Sequence, residues 1–286
     1  MGDDVQYNSL TAFEGILNEP FATVNPARIS NNRVNNTGDA LEIFIKDAYS
    51  GLLGSNISLD DKELNHYPKV FSWLGNSGNP PDSLLKNGDG IEVKKIESLN
   101  AGIFLNSSFP KDKLHIDDSR VASGAKSAEQ WTERDIVYAI GTVSENELKR
   151  LWLIYGDCYA ASRETYESLI KIISDGVKTI PDVEFHDTNE LAQVKKVDPL
   201  GITDLRVRGM WQIQNPSRLY SNLVNDTERR QYYMLMREEK YQSFNEEQRN
   251  RMESIDKEGY QNSIIEIRNP DNPAQLMKAR FIKYEI

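Results

Sequence analysis

The chain has 286 residues, of which 38% are hydrophobic and 27% charged, the balance of an ordinary soluble protein large enough for one sizeable α/β core. No apolar run is long enough for a bilayer, residues 1–4 lack the basic start of a signal peptide, and the single cysteine, Cys158, excludes an internal disulfide, so a reducing cytoplasm is the expected home and a membrane partner is not. A formal net charge of -10 argues against a passive nucleic-acid coat, whose affinity comes from Lys and Arg neutralising phosphates, but it permits an enzyme that lines one short cleft with local base and carries acid elsewhere.

In chain order, residues 31–38 are polar and turn-rich and read as a loop. Asp39 is a good N-cap, and Leu41, Phe44, Ile45, Ala48 and Leu52 recur at helical spacing, so a helix is expected over 39–52. Glu42 sits one position past that stripe, either at the edge of a cleft or as a solvated surface acid. A second helix is expected within 59–73, broken or kinked at Pro68. Residues 75–81 hold too many Gly, Asn and Pro for a helix or central strand and form a loop. Strands follow over 82–86 and 91–96, around the hairpin signal Asn87-Gly88-Asp89-Gly90. Further strands are expected over 136–143 and 151–155, a helix over 163–174, and a strand over 205–213. The tail reads as a charged helix over 227–255, then strands over 263–267 and 280–284. Together these predict an α/β fold, with a catalytic core over 1–213 and a helical and strand extension over 214–286 packed on the same domain.

The run from Pro81-Asp82 to Ile91-Glu92-Val93-Lys94 carries the chemistry. Phosphodiester hydrolysis needs a hard cation to polarise a phosphoryl oxygen and activate water, and Mg2+ prefers carboxylate, carbonyl and water oxygens. Asp82, Glu92 and the Val93 carbonyl are the candidate ligands. Lys94, two residues beyond Glu92, lies on the same face of a strand roughly 6.5 Å along it, where it can orient the water and hold negative charge. Turn length decides whether the three side chains meet. A two-residue Asn87-Gly88 turn sets Asp82 opposite Val93, on the wrong face. A three-residue Asn87-Gly88-Asp89 loop pairs Leu84 with Glu92 and Asp82 with Lys94, putting all three on one face, so an odd-length turn or a bulge is expected. The bare acid-and-lysine pattern also occurs as a charged strand face; the Gly/Asn/Pro loop ending on Asp82, the alternating Ile91 and Val93, and the following Lys95 favour the catalytic reading.

Residues 69–82 with 91–98, read as wording and not as pattern, closely resemble the NgoPII family of type II restriction endonucleases. Residues 31–33 with 38–42, 105–111, 198–203 and 206–211 resemble further segments of it, so the resemblance spans roughly 31–211. It implies a restriction-endonuclease-like PD...ExK core with a central mixed sheet flanked by helices, Mg2+-dependent double-strand cleavage of DNA at a short palindrome such as GGCC, and a homodimer. Other readings are a repair or junction-cleaving nuclease on the same core and a DNA-binding protein without activity.

DNA contacts have several candidates. From 195 to 218, Lys195, Lys196, Arg206, Arg208 and Arg218 stand against Asp198 and Asp204, an excess of three bases. On a strand, Arg206 and Arg208 share a face and suit guanine edges; the alternative is ion pairing with acids such as Asp204. Asn106, Ser107 and Ser108 offer short donors to phosphates or cap a turn. Lys111 and Lys95 are further basic candidates, and Arg33, Asn35 and Asn36 form a polar loop that could reach a groove. His66, His115 and His186 have no metal-ligand spacing, and Cys158 reads as a small buried side chain.

Overall fold

A computed structural model describes residues 7–22, 24, 33–75, 78–98, 101–105, 108–144, 147–179, 184–186, 191–225 and 227–286, and of 33–38 the backbone alone. The described elements, in chain order, are α1 (Ser9–Asn18), α2 (Arg33–Ser50), α3 (Leu59–Asp61), α4 (Tyr67–Val70), β1 (Phe71–Leu74), β2 (Ser83–Leu85), β3 (Gly90–Ile96), β4 (Ile103–Leu105), β5 (Lys113–His115), α5 (Ser123–Ala128), β6 (Glu133–Ser144), β7 (Glu147–Tyr155), α6 (Arg163–Val177), β8 (Glu184–His186), β9 (Ala192–Lys195), β10 (Leu205–Val207), β11 (Trp211–Ile213), α7 (Pro216–Leu219), β12 (Gln231–Arg237), α8 (Glu238–Ser243), α9 (Glu246–Glu253), β13 (Tyr260–Arg268) and β14 (Leu276–Glu285).

The central sheet runs β1-β2-β3-β6-β7-β12-β14-β13, with β5 pairing the start of β6. The β3–β6 and β7–β12 pairs are parallel and the others antiparallel, so the sheet is mixed. Its middle strands are buried on both faces: β6 over Ile136–Val143 and β7 over Leu151–Tyr155 read as continuous apolar runs for that reason. On one face, Leu41, Phe44, Ile45 and Ala48 of α2 pack over Ile91, Val137, Ala139 and Leu153. On the other, Ile103 and Leu105 of β4 lie over Tyr138, Ile140, Trp152 and Ile154, with Trp211 and Ile213 of β11 against them. Among the described residues no helix is long and apolar enough to cross a membrane.

Four expectations are corrected. Residues 33–38 are helical, because α2 begins at Arg33 and not at Asp39; the packed apolar stripe downstream outweighs the turn preference of the asparagines. The region 59–73 splits into α3, a π-helical turn over Lys62–His66, α4 and then strand β1, with Pro68 in the first turn of α4. The strand over 205–213 is two strands in two small sheets, β10 on β9 and β11 on β4, parted at Arg208-Gly209-Met210. The helix over 227–255 opens as strand β12, whose Gln231–Met236 stretch is buried throughout. β12 lies between β7 and β14, so residues after 213 supply strands of the same sheet as β2 and β3.

Candidate active site

The β2–β3 hairpin turns through three residues, Lys86, Asn87 and Gly88. Leu84 pairs with Gly90 and Ser83 with Ile91, Leu85 N–H donates to Asp89 O at 3.0 Å, and Asp82 N–H donates to Ile91 O at 2.8 Å. The turn is odd in length, as expected, but its register differs by two from the anticipated one, and the paired ladder ends at Ser83 and Ile91, with Asp82 beyond it. Asp82 still lies close enough to Glu92 and Lys94 for its carboxylate to act on both. Asn87 takes φ 51 in the turn, the left-handed region that Asn tolerates better than most residues. On its other side Asp82 O accepts from Gly75 N–H at 2.6 Å, and a Cβ on Gly75 would lie 2.4 Å from that oxygen, so only glycine permits this approach.

β2 pairs with β3 no further than Ile91, and the Asp82 side chain takes over the ladder there: Val93 N–H donates to Asp82 Oδ2 at 2.6 Å. In extended backbone the N–H and C=O of one residue point the same way, so the Val93 carbonyl also faces the Asp82 side. Glu92 is 6% exposed, and its Oε1 accepts from Lys94 Nζ at 2.5 Å. Burial, then the nearby Asp82 carboxylate, raises Glu92 from 4.5 to about 7. Burial alone would discharge Lys94, but the Glu92 and Asp82 carboxylates outweigh it and raise its pKa. Glu42, half-buried on α2, is also raised, first by burial and then by Asp82, although Lys46 at 3.5 Å opposes this. Glu42 thus belongs to the electrostatic neighbourhood of the two strand carboxylates.

Glu92 and Lys94 line a cavity of about 20 Å3 with Pro80, Leu105, Ser108, Phe109 and Tyr138. Glu92 Oε2 is buried without a hydrogen-bond partner, a costly state for a carboxylate oxygen unless a cation or water completes it. Among the described residues no group of three or more His, Cys, Asp or Glu is gathered as a metal site. Two carboxylates and a carbonyl suit a hard cation that keeps several waters, so the donor set fits Mg2+.

The other candidates separate. Lys95 lies one residue out of phase with Glu92 and Lys94 and pairs with Glu97 at 2.9 Å. Ser108 is in the cavity wall, while Asn106 and Ser107 lie outside the described residues, as do the side chains of Arg33, Asn35 and Asn36. Lys111 is 2% exposed and bonds Asp118 at 2.5 Å; it serves the fold, a correction to its reading as a phosphate contact. Arg206 and Arg208 are exposed, at and just beyond β10, but Lys195 and Lys196 of the same basic run pair with Asp204 and Glu184. Sequence reasoning missed Tyr138, which pairs with Glu92 across β3 and β6. It also missed Lys240, which reaches from α8 to Asp89 beside the hairpin turn at 2.7 Å. Neither carries a local motif.

A large mixed sheet flanked by helices, with two carboxylates and a lysine converging at one strand, is consistent with a restriction-endonuclease-like enzyme. The family model of the NgoPII restriction endonuclease matches residues 7–268. The type II restriction enzyme NgoPII of Neisseria gonorrhoeae is 41% identical over 282 residues, covering 98% of this chain and 100% of that protein. The chain belongs to the NgoPII restriction endonuclease family and is a type II site-specific deoxyribonuclease. No solved structure gives a significant match.

Proposed function

We propose that DNA cleavage runs at a PD...ExK site in which Asp82, Glu92 and the Val93 carbonyl hold Mg2+, Lys94 orients the attacking water, and Glu42 is a supporting acid. The observation that carries this reading is Glu92 Oε2, buried and unpaired beside a lysine ammonium that already engages the other carboxylate oxygen. When bound, the cation polarises the phosphoryl oxygen and lowers the pKa of water. Lys94 holds a fixed positive charge where negative charge develops on the phosphate, and it does so in a partly desolvated site that strengthens it. The Val93 N–H holds Asp82 to one orientation, so its free carboxylate oxygen is pre-positioned.

The same reading takes a homodimer acting in the cytoplasm on a short palindrome, with GGCC as the expected string: a two-fold dimer matches a palindrome and brings one active site to each strand. Arg206 and Arg208, exposed near β10, are the proposed readers of guanine edges. Plasmid digestion with Mg2+ and with a chelator, followed by sequencing of the ends and sedimentation of the protein, tests the set. Discrete fragments ending within GGCC, none in chelator, and a dimer are expected. Cutting in chelator overturns the metal assignment, ends at another string overturn GGCC, and a monomer on DNA overturns the dimer.

A further inference from the structure

Among the described residues of the 105–109 stretch, Leu105, Ser108 and Phe109 line the cavity, and Ser108 brings a hydroxyl to it. It is 6% exposed, and its Oγ has no hydrogen-bond partner. The same cavity of about 20 Å3 is lined by Glu92, whose Oε2 is also buried and unpaired, and by Lys94. A buried hydroxyl without a partner is worse for folding than the methyl of alanine, so serine is a poor residue here unless something polar completes it. The cavity is roughly the size of one water, and a hydroxyl, a carboxylate oxygen and an ammonium make up the two to four polar partners that a buried water takes.

We propose that Ser108 is a positioning residue for the reaction: with Glu92 and Lys94, its hydroxyl fixes the water that attacks the phosphodiester. This rests on the active-site reading above. With the Lys94 ammonium donating to one lone pair of the water oxygen and the water hydrogens donated to Glu92 Oε2 and Ser108 Oγ, the remaining lone pair is left to face phosphorus. Its oxygen forms the new bond to phosphorus as the bond to the leaving sugar oxygen breaks. One water hydrogen ends on that leaving oxygen and the other on the new phosphate, and Ser108 is chemically unchanged.

The test compares Ser108→Ala, Ser108→Thr and Lys94→Ala in the full chain, by single-turnover cleavage with Mg2+, DNA affinity in Ca2+ and thermal unfolding. Ser108→Ala should slow cleavage about 10- to 100-fold, leave affinity within about twofold and not lower the melting temperature, since it removes an unpaired polar group. Ser108→Thr, which keeps the hydroxyl, should recover part of the lost rate. A full-rate Ser108→Ala beside a slow Lys94→Ala overturns this proposal alone. Affinity falling in step with the rate overturns it in favour of a phosphate contact, and a folded Thr variant as slow as Ala overturns the role of the hydroxyl. A full-rate Lys94→Ala overturns the active-site reading itself.

Discussion

Asp82 Oδ2 accepts a hydrogen bond from Val93 N–H at 2.6 Å, so a side chain fills the ladder position that β2 leaves open beside β3. That contact depends on the three-residue turn at Lys86, Asn87 and Gly88. Deleting Asn87 shortens the turn to two residues and sends Asp82 to the opposite face. The deletion should cut DNA at least about 1,000-fold more slowly, the order expected when a pre-positioned charged group is lost, while circular dichroism still reports a folded protein. Asn87→Gly, which accepts φ 51 without strain, should keep cleavage within about twofold and cost less than about 1 kcal/mol. An active deletion variant would disprove the face argument.

Lys94 tests the chemistry most directly. Its ammonium is held at Glu92 Oε1 and is about three-quarters buried, with 25% of its side chain exposed. Lys94→Ala should lower the cleavage rate by about 100- to 1,000-fold, yet leave specific DNA binding in Ca2+ within about threefold, because phosphate and base contacts elsewhere supply affinity. Gel-shift titration beside single-turnover kinetics separates the two effects; a variant that still cuts at the original rate rules Lys94 out.

Glu92 sets a pH dependence. Its pKa rises from 4.5 to about 7 in the folded protein, so between these values the fold holds a proton that the unfolded chain has lost. Stability of the metal-free protein is therefore greatest below about pH 4.5 for this group and falls as pH rises through about 7. If Glu92 is a ligand as proposed, a cation must displace that proton, so metal affinity should rise up to about tenfold per pH unit below 7 and level off above it. Calorimetric titration of Ca2+ at several pH values, with Glu92→Gln as the control that flattens the curve, measures this. An affinity that does not change from pH 6 to 8 removes Glu92 from the ligand set.

How much of this was legible in the sequence depends on where the cause lies. The odd hairpin could be read because strand parity is local, and α2 and the two central strands could be read because burial writes its period into apolar residues. The register itself was not, since the choice between Asn87-Gly88-Asp89 and Lys86-Asn87-Gly88 loops is made by β1 and Gly75 clasping Asp82. β12 hid behind flanking charges in a segment that looked helical, and only its place between β7 and β14 explains six consecutive buried residues. The cavity joins residues far apart in the chain, Glu92, Ser108 and Tyr138, and no spacing rule reaches that distance.

Lys111 and Asp118 supply a last prediction, because a lysine beside an active site invites a phosphate-binding role. The pair is buried at 2.5 Å, with the ammonium 4.2 Å from the Phe109 ring centroid. Lys111 N–H also donates to the Tyr138 hydroxyl at 2.7 Å, which ties the segment bearing Ser108 and Phe109 to the strand facing Glu92. Burial lowers the pKa of Lys111, while Asp118 is lowered because Lys111 outweighs its own burial. Asp118→Asn strands a buried ammonium and should cost about 3 to 5 kcal/mol, a fall of roughly 10 °C in Tm for a chain of this size. Lys111→Met with Asp118→Leu removes both charges and should recover most of the loss. Throughout this series the slope of log affinity for DNA against log salt should stay constant, because a counterion is released only where a phosphate is neutralised. A slope smaller by about one in the double variant would return Lys111 to the DNA-contacting set.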